Sequence, residues 1–247
     1  MIILKSPEEV QKMGESNAMV AEVLSGLRER VSPGVTTSEL NEYAEAAAHE
    51  RGARPAFKGY GGFPFALCTS VNSEVVHGFP SDRSLEDGDI VSLDYGIYYN
   101  GYYGDSAITV AVGDISPSAA RLMDVTEKAL YKGIEKAREG NRLGDISFAV
   151  QSHAEKAGFS VVRDYVGHGI GRDLHEDPPV PNFGVKGRGV KLRAGMVIAI
   201  EPMINEGSYM VRVKSDGWTV VTDDGSLSAH FEHTVAVTED GPLILSK

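Results

Sequence analysis

The stretch from Ile90 to Ile108 constrains the fold more than any other part of the chain. Two segments rich in β-branched and aromatic residues flank the dipeptide Asn100-Gly101, which tolerates the positive φ angles of a tight type I′ turn. The pattern predicts a β-hairpin in which Asp94 lies opposite Ala107, so that Asp105 shares the face of Asp94. A three-residue loop would instead place the two aspartates on opposite faces.

Two carboxylates on one face of an apolar strand pair need an explanation. They repel each other, and each loses its hydration on burial. Diagonal neighbours across a strand pair lie about 7–8 Å apart at the backbone, which lets both carboxylates reach one ion. A bound cation is therefore the simplest interpretation. The alternative is an exposed hairpin face on which both aspartates are solvated.

The composition is that of a globular protein. The chain has 247 residues, 42% of them hydrophobic, enough for one large domain or two fused halves. Its formal net charge of -11 argues against a nucleic-acid-binding surface spread over the whole protein. Cys68 is the single cysteine, which excludes an intramolecular disulfide and a Cys-based zinc site. Because no apolar run resembles a signal peptide or a membrane span, we expect a cytoplasmic protein.

Four helices are predicted from their start and stop residues. Ser6-Pro7-Glu8-Glu9 has the pattern of a capping box with proline at the first helical position. The predicted helices run from 7 to about 30, from 36–38 to the stop at 52, from 114–117 to about 138, and from 144 to the stop at 158. Strands are predicted near 66–71 and 74–76, before the hairpin.

The order long helix, glycine, short helix, glycine, strands occurs twice. A shift of 106 residues places Gly34 on Gly140 and Gly52 on Gly158. Two helical hairpins with glycine stops could also coincide by chance. If the repeat is a duplication, the chain consists of two similar halves around a pseudo-twofold axis, and a site between them would use residues from both.

The second half supplies further polar residues in apolar or glycine-rich surroundings. His168 lies among glycines, His175 follows it, Glu201 ends an apolar strand and Glu232 lies on another strand. Glu201, Glu232 and the two aspartates offer four oxygen ligands and His168 offers one nitrogen ligand, and the four negative charges balance two divalent cations. Hydrolysis of a carbonyl or phosphoryl bond is the reaction class that follows. An unliganded His77 or His175 would then donate a proton or stabilise an oxyanion. Taken singly, each of these residues is more often structural.

These motifs together resemble those of a known family. The chain has a suitable residue at all five ligand positions, together with Gly167-His168-Gly169-Ile170-Gly171 and His175-Glu176-Asp177-Pro178. In these features it is similar to the methionine aminopeptidases of the pita-bread fold. The short chain favours their bacterial type I members. The resemblance implies an α+β fold in which a curved antiparallel sheet, covered by helices, forms two pseudo-twofold-related halves. We expect one catalytic domain over residues 1–247, with halves at approximately 7–113 and 114–240.

The resemblance also implies roles for individual residues. Asp94 would chelate one metal, Asp105 and Glu232 would bridge two, and His168 and Glu201 would bind the second. The two divalent ions would be Fe(II), Mn(II), Co(II) or Zn(II), with Glu201 shuttling protons for a bridging hydroxide. His175 would stabilise the tetrahedral intermediate and His77 would contact the substrate. The family's methionine pocket corresponds to Tyr60, Phe63, Cys68, Leu174 and Trp218, for which core packing is the alternative.

The expected reaction is the release of initiator methionine from nascent polypeptides whose second residue is small. An X-Pro aminopeptidase or dipeptidase of the same fold is the alternative enzyme, and an inactive pita-bread module used for binding is the alternative outside catalysis. Four cations, Lys186, Arg188, Lys191 and Arg193, suggest a transient ribosome contact; a solvated loop is the competing interpretation. No sequence feature demands a partner subunit, so we expect a monomer.

Overall fold

A computed structural model describes residues 1–247. Its helices are α1 (Pro7–Arg30), α2 (Thr37–Glu50), α3 (Pro117–Ile134) and α4 (Leu143–Lys156). Its strands are β1 (Arg54–Pro55), β2 (Leu67–Val71), β3 (Glu74–Val76), β4 (Ile90–Tyr99), β5 (Tyr102–Ala111), β6 (Ser160–Val161), β7 (Gly167–Gly169), β8 (Glu176–Val180), β9 (Val197–Ile200), β10 (Met203–Asn205), β11 (Val211–Val213), β12 (Val220–Thr222), β13 (Ser228–His230), β14 (Glu232–Thr238) and β15 (Gly241–Ile244).

The first helix starts as its sequence predicts. The Ser6 hydroxyl accepts the Glu9 N–H at 3.3 Å, and the Glu9 carboxylate accepts the Ser6 N–H at 3.0 Å. This reciprocal pair satisfies two of the amide donors that a helix start leaves unpaired. None of the four helices combines the length and the apolar character needed to cross a lipid bilayer.

The end of the third helix was predicted incorrectly. The sequence suggests a helix to about residue 138, but α3 ends at Ile134. The Lys136 N–H donates to Gly133 O and the Ala137 N–H donates to Ile134 O, and these tighter three-residue bonds replace the helical pattern. The turn places Ala137 fully inside the core, so tertiary packing overrides the local helix propensity.

The predicted hairpin forms the β4–β5 pair of the main sheet. Asn100 and Gly101 have φ angles of 48° and 89°, as a type I′ turn requires. Asp94 lies opposite Ala107, as predicted, and Asp105 lies opposite Gly96. Both aspartates therefore point to the same face.

The main sheet is antiparallel and has nine strands. Its path is β1-β4-β5-β14-β9-β7-β8, with β15 also paired to β14 and β2 also paired to β4. Because β5 belongs to the first predicted half and β14 to the second, the sheet is continuous across the middle of the molecule.

Alternation along the strands separates a helix-covered face from a polar face. On β4 the buried apolar residues Val91, Leu93 and Tyr95 pack against α1 and α2, and on β14 Val235 and Val237 pack in the second core cluster with residues of α3 and α4. Successive side chains of a strand point to opposite faces. The residues between these positions therefore face away from the helices.

The two predicted halves share local details. Gly34 and Gly140 both have positive φ, 95° and 88°. Glu39 and Asp145 each accept the N–H of the residue that caps their helix, at 2.7 and 2.8 Å. These matches agree with the 106-residue shift, and the boundaries at 7–113 and 114–240 stay a prediction.

Candidate metal centre and adjoining pocket

Five neighbouring strands of the main sheet each bring one potential metal ligand to the face opposite the helices. In sheet order β4, β5, β14, β9 and β7, they provide, in turn, Asp94, Asp105, Glu232, Glu201 and His168. Glu201 follows the last residue of β9 directly, and Pro202 after it interrupts the strand. The strand order brings together residues that are far apart in sequence.

The ligand atoms are close to one another. One ligand atom from each of Asp105, His168 and Glu232 lies within 4.8 Å of the other two. His168 Nε2 is 3.5 Å from Glu201 Oε1 and 3.9 Å from Asp105 Oδ2. Asp94 lines the same cavity. All five predicted ligands are thus gathered at one place.

Burial raises the pKa of every carboxyl group in this cluster. Burial is the largest cause for Asp94, whose pKa rises to about 7. For Asp105, Glu201 and Glu232, burial again comes first and repulsion from the neighbouring carboxylates adds to it. The chain therefore concentrates four carboxyl groups where water cannot solvate their ionised form, and a bound cation would stabilise that form.

The cluster satisfies the donor requirements of a divalent metal. Asp94 Oδ1, Asp105 Oδ1 and Glu232 Oε1 are buried and receive no hydrogen bond from the protein. Burial also lowers the pKa of His168 to about 3, which leaves its imidazole neutral and able to donate a lone pair. The His168 Nδ1 hydrogen-bonds to Gly169 O at 2.8 Å, which orients Nε2. Oxygen-rich ligation with one imidazole suits Mn, Fe, Co or Zn.

An apolar pocket adjoins the carboxylate cluster. The pocket and the carboxylate cluster line one cavity of about 220 Å³. All five residues predicted to form a methionine pocket line it: Tyr60, Phe63, Cys68, Leu174 and Trp218. The rings of Phe63 and Trp218 meet edge to face with centroids 5.2 Å apart. Asp216 Oδ1 accepts a hydrogen bond from the backbone N–H of Trp218 at 2.9 Å, which holds the loop that carries the indole.

His77 and His175 line the same cavity without joining the ligand group. His77 has a φ of 59°, a strained value for a residue with a side chain, and its ring lies 5.6 Å from that of Tyr165. His175 Nδ1 is 2.7 Å from the Tyr60 hydroxyl. Burial, followed by the charge of His175, lowers the pKa of His77 to about 4, and burial also lowers the pKa of His175.

The sequence did not identify every residue of the site. His230 is 1% exposed, and its Nε2 lies 3.8 Å from Glu201 Oε2. Its spacing of two residues from Glu232 was a usable signal. Further pocket residues that sequence reasoning did not assign are Phe57, Val76, Tyr165, Val166 and Met203. They come from loops and strand ends whose neighbours only the tertiary structure reveals.

The predicted cationic loop is separate from this cavity. Lys186, Arg188, Lys191 and Arg193 are all exposed. The cavity lining includes none of them. The loop therefore adds nothing to the candidate metal centre itself.

The family model of metallopeptidase family M24 matches residues 11–239. The methionine aminopeptidase of Clostridium perfringens is 56% identical over 246 residues, which cover 100% of this chain and 99% of that protein. Methionine aminopeptidase 1 of Bacillus subtilis is 51% identical over 247 residues, with 100% of both chains covered.

Solved structures agree with these sequence matches. The crystal structure of methionine aminopeptidase from Rickettsia prowazekii superposes with a TM-score of 0.99 at 46% identity and covers 100% of both chains. The pita-bread fold expected from the sequence is thereby confirmed. The prolidase from Pyrococcus horikoshii has a TM-score of 0.81 at 24% identity, and this chain covers 64% of its length. That likeness concerns the fold alone.

Proposed function

The chain belongs to metallopeptidase family M24, and we propose that it is a type I methionine aminopeptidase acting on nascent polypeptides whose second residue is small. The observation that carries this proposal is the junction of an apolar, aromatic-lined pocket with a buried cluster of four carboxylates and one imidazole. Full-length relatives at 56% and 51% identity bear the same name, in agreement with the resemblance found in the sequence.

Two divalent cations would complete the centre. Asp94 would hold one, His168 and Glu201 the other, and Asp105 and Glu232 would contact both. Four carboxylates balance the charge of two such ions, and the unpaired buried oxygens support this assignment. Bound divalent cations supply Lewis acidity toward the scissile carbonyl and lower the pKa of water. Fe(II), Mn(II), Co(II) and Zn(II) all fit the donor set.

The protein's own groups would move protons and position the substrate. Burial, followed by the charges of Asp94 and Asp105, raises the pKa of Glu201, which suits a carboxyl group that would both accept and donate a proton. If the Tyr60 hydroxyl donates to His175 Nδ1, the neutral imidazole carries its proton on Nε2. That N–H would then stabilise the developing oxyanion. His77, which lines the same cavity, would hold the substrate beside its scissile amide.

The side-chain pocket would provide the specificity for methionine. Phe63, Cys68 and Leu174 are buried, and they offer the unbranched thioether side chain an apolar wall without a charged group. Burial and the neighbouring carboxylates raise the pKa of the Cys68 thiol, which keeps it neutral. A charged first residue would lose its hydration in this pocket without gaining a partner.

Release of methionine from Met-Ala-Ser by chelator-stripped protein, before and after anaerobic addition of Fe(II) or Mn(II), tests the proposal. We expect release only with metal, and none of the first residue from Ala-Pro-Ala. Cleavage of the proline peptide alone would transfer the assignment to the X-Pro peptidases. Failure to cleave either peptide with any divalent metal would favour a binding module.

The proposal also covers where the protein is located and what it contacts. We place the monomeric protein in the cytoplasm, where nascent chains emerge, with Lys186, Arg188, Lys191 and Arg193 contacting ribosomal RNA transiently. Their exposure supports this contact, which would weaken steeply as salt increases. Co-sedimentation with ribosomes that does not change when the four residues are replaced would contradict it.

A further inference from the structure

A buried ion pair lies behind the loop that carries His175. The Glu176 carboxylate contacts Lys5 Nζ, and the two side chains are only 5% and 3% exposed. The other carboxylate oxygen, Oε1, accepts the backbone N–H of Arg172 at 2.9 Å and that of Asp173 at 3.4 Å. One side chain thus closes residues 172–176 into a loop and ties that loop to the amino-terminal segment.

The amino-terminal segment is itself fixed to the main sheet. The Lys5 N–H donates to Gly195 O at 2.7 Å, just before β9. Lys5 Nζ also donates to Ile3 O at 3.1 Å. A Cβ atom at Gly171 would lie 2.5 Å from both Glu176 Oε1 and Lys5 Cε, so the pair is packed against the backbone of the loop.

A second set of contacts holds the start of the same loop. Arg172 Nη2 donates to Glu9 Oε1 at 3.1 Å and contacts the Tyr102 hydroxyl at 3.0 Å. The Tyr103 N–H donates to Gly171 O at 2.9 Å. Both ends of residues 171–176 are therefore anchored, one to α1 and the hairpin and the other to Lys5.

The ion pair and His175 occupy adjacent positions in the chain but have different surroundings. Glu176 is the first residue of β8, and His175 is the residue directly before that strand. Glu176 turns toward Lys5, whereas His175 lines the cavity and contacts the Tyr60 hydroxyl. Because the two residues are adjacent, fixing Glu176 restricts where the backbone can place the imidazole.

We propose that Lys5 is a positioning residue for His175, acting through the buried ion pair with Glu176 and the loop of residues 171–176. The proposal rests on the proposed role of His175 in peptide hydrolysis. Lys5 does not line the cavity, so its contribution is to the placement of the imidazole. A misplacement of about 1 Å in a catalytic group lowers turnover by about 100-fold.

The test replaces both partners, because Lys5→Met alone would leave a buried carboxylate without its counter-ion. Lys5→Met with Glu176→Gln removes the ion pair but keeps an amide oxygen for the two backbone donors. We expect kcat for Met-Ala-Ser to fall by about 10–100-fold with little change in KM. In a His175→Ala background the same pair of substitutions should cause no further loss of kcat. Lys12→Met, at an exposed position of α1, is the matched control.

A second measurement does not depend on activity. The chain has seven histidines, so the imidazole resonance of His175 can be assigned by its disappearance in His175→Ala. We expect the double substitution, but not Lys12→Met, to shift this resonance in the metal-free protein. If the wild-type protein releases no methionine but the double substitution still shifts the His175 resonance, the positioning role is supported and the proposed function is refuted. Unchanged kcat and resonance, or an equal loss of kcat in the His175→Ala background, would overturn the positioning role.

Discussion

At the scale of single residues, burial has opposite effects on the two kinds of ligand. It raises the pKa of the four carboxyl groups, Asp94 to about 7, and lowers the pKa of His168 to about 3. In both cases the neutral form is favoured because water is excluded. A cation reverses this preference for the carboxyl groups and leaves the neutral imidazole as it is. The residues are therefore arranged for metal binding rather than for pairing with one another.

We expect metal-free protein to lose stability as the pH rises through about 7, the pKa of the Asp94 carboxyl group in the folded chain. A carboxyl group with a raised pKa keeps its proton in the folded chain at a pH where the unfolded chain has released it, so the free energy of unfolding falls as pH increases. Below about 6.5 the buried histidines, whose pKa values are lowered, act in the opposite direction. From about 6.5 up to the folded pKa values of the carboxyl groups, their effect therefore stands alone, and it ends once they have ionised. Thermal melts of chelator-stripped protein from pH 6 to pH 9 measure it.

Added Mn(II) replaces these protons, so its stabilising effect should increase with pH. The rise in melting temperature at a fixed Mn(II) concentration should be larger at pH 8 than at pH 6, because protons compete with the cation at the lower pH. Glu232→Gln, which removes one carboxylate, is expected to reduce the rise at both values. Equal shifts at pH 6 and pH 8 would show that the buried carboxyl groups are not the binding site.

Loss of the His175 imidazole should lower turnover without unfolding the protein. His175 lies at the edge of the cavity and packs beside His168 and Tyr60, with ring centroids 4.3 and 5.1 Å away. We expect His175→Ala to reduce kcat for Met-Ala-Ser by about 10²–10⁴-fold, the usual effect of losing one acid-base group. His49→Ala is the control, since that side chain is 62% exposed on α2. Equal turnover in the two variants would exclude a catalytic role for His175.

At the scale of elements, the hairpin could be predicted in detail because its information is local. Asn100-Gly101 sets the turn type, and the turn type sets the register that places Asp94 and Asp105 on one face. The position of β14 between β5 and β9 could not be derived from residue patterns, because long-range pairing leaves no local signal. Glu201 and Glu232 could be added to the ligand set because each is a carboxylate on an apolar strand, and the family resemblance then implied their separate roles. The Lys5–Glu176 pair was missed for the same reason, as its partners are far apart in sequence.

The contact between α1 and β5 depends on the absence of a side chain at Gly104. A Cβ atom there would lie 2.8 Å from Ser16 C and 2.9 Å from Asn17 N. We expect Gly104→Ala to lower the free energy of unfolding by about 1–3 kcal/mol through overpacking. It should also weaken Mn(II) binding, because the adjacent Asp105 N–H donates to Asn17 Oδ1 at 3.3 Å. Urea titration and calorimetry measure the two effects.

Gly14, in α1, provides the matched comparison. A Cβ atom at Gly14 would meet nothing within 4 Å, and alanine is a better helix former than glycine. Gly14→Ala should therefore raise the free energy of unfolding by about 0.5–1 kcal/mol and leave Mn(II) binding unchanged. Destabilisation by both substitutions would mean that the close approach at Gly104 is not the cause.

At the scale of the whole molecule, the candidate site belongs to neither half alone. Asp94 and Asp105 come from the first predicted half, and His168, Glu201 and Glu232 come from the second. The pairing of β5 with β14, in which Glu232 lies opposite Ala107, joins the two sets in one continuous sheet. Each of these two segments supplies two carboxyl groups, whose negative charges repel one another unless a cation balances them.

We expect the chain to unfold as one cooperative unit despite its length. Domains longer than about 150 residues often populate intermediates, but here separation of the halves would expose the edges of β5 and β14 and leave buried carboxylates without their shared cation. Differential scanning calorimetry should give a single transition with equal calorimetric and van't Hoff enthalpies. Mn(II) should shift that transition as a whole, and Asp105→Asn should abolish most of the shift. Two resolved transitions, only one of them sensitive to Mn(II), would show that the halves fold independently and that the metal is held within one of them.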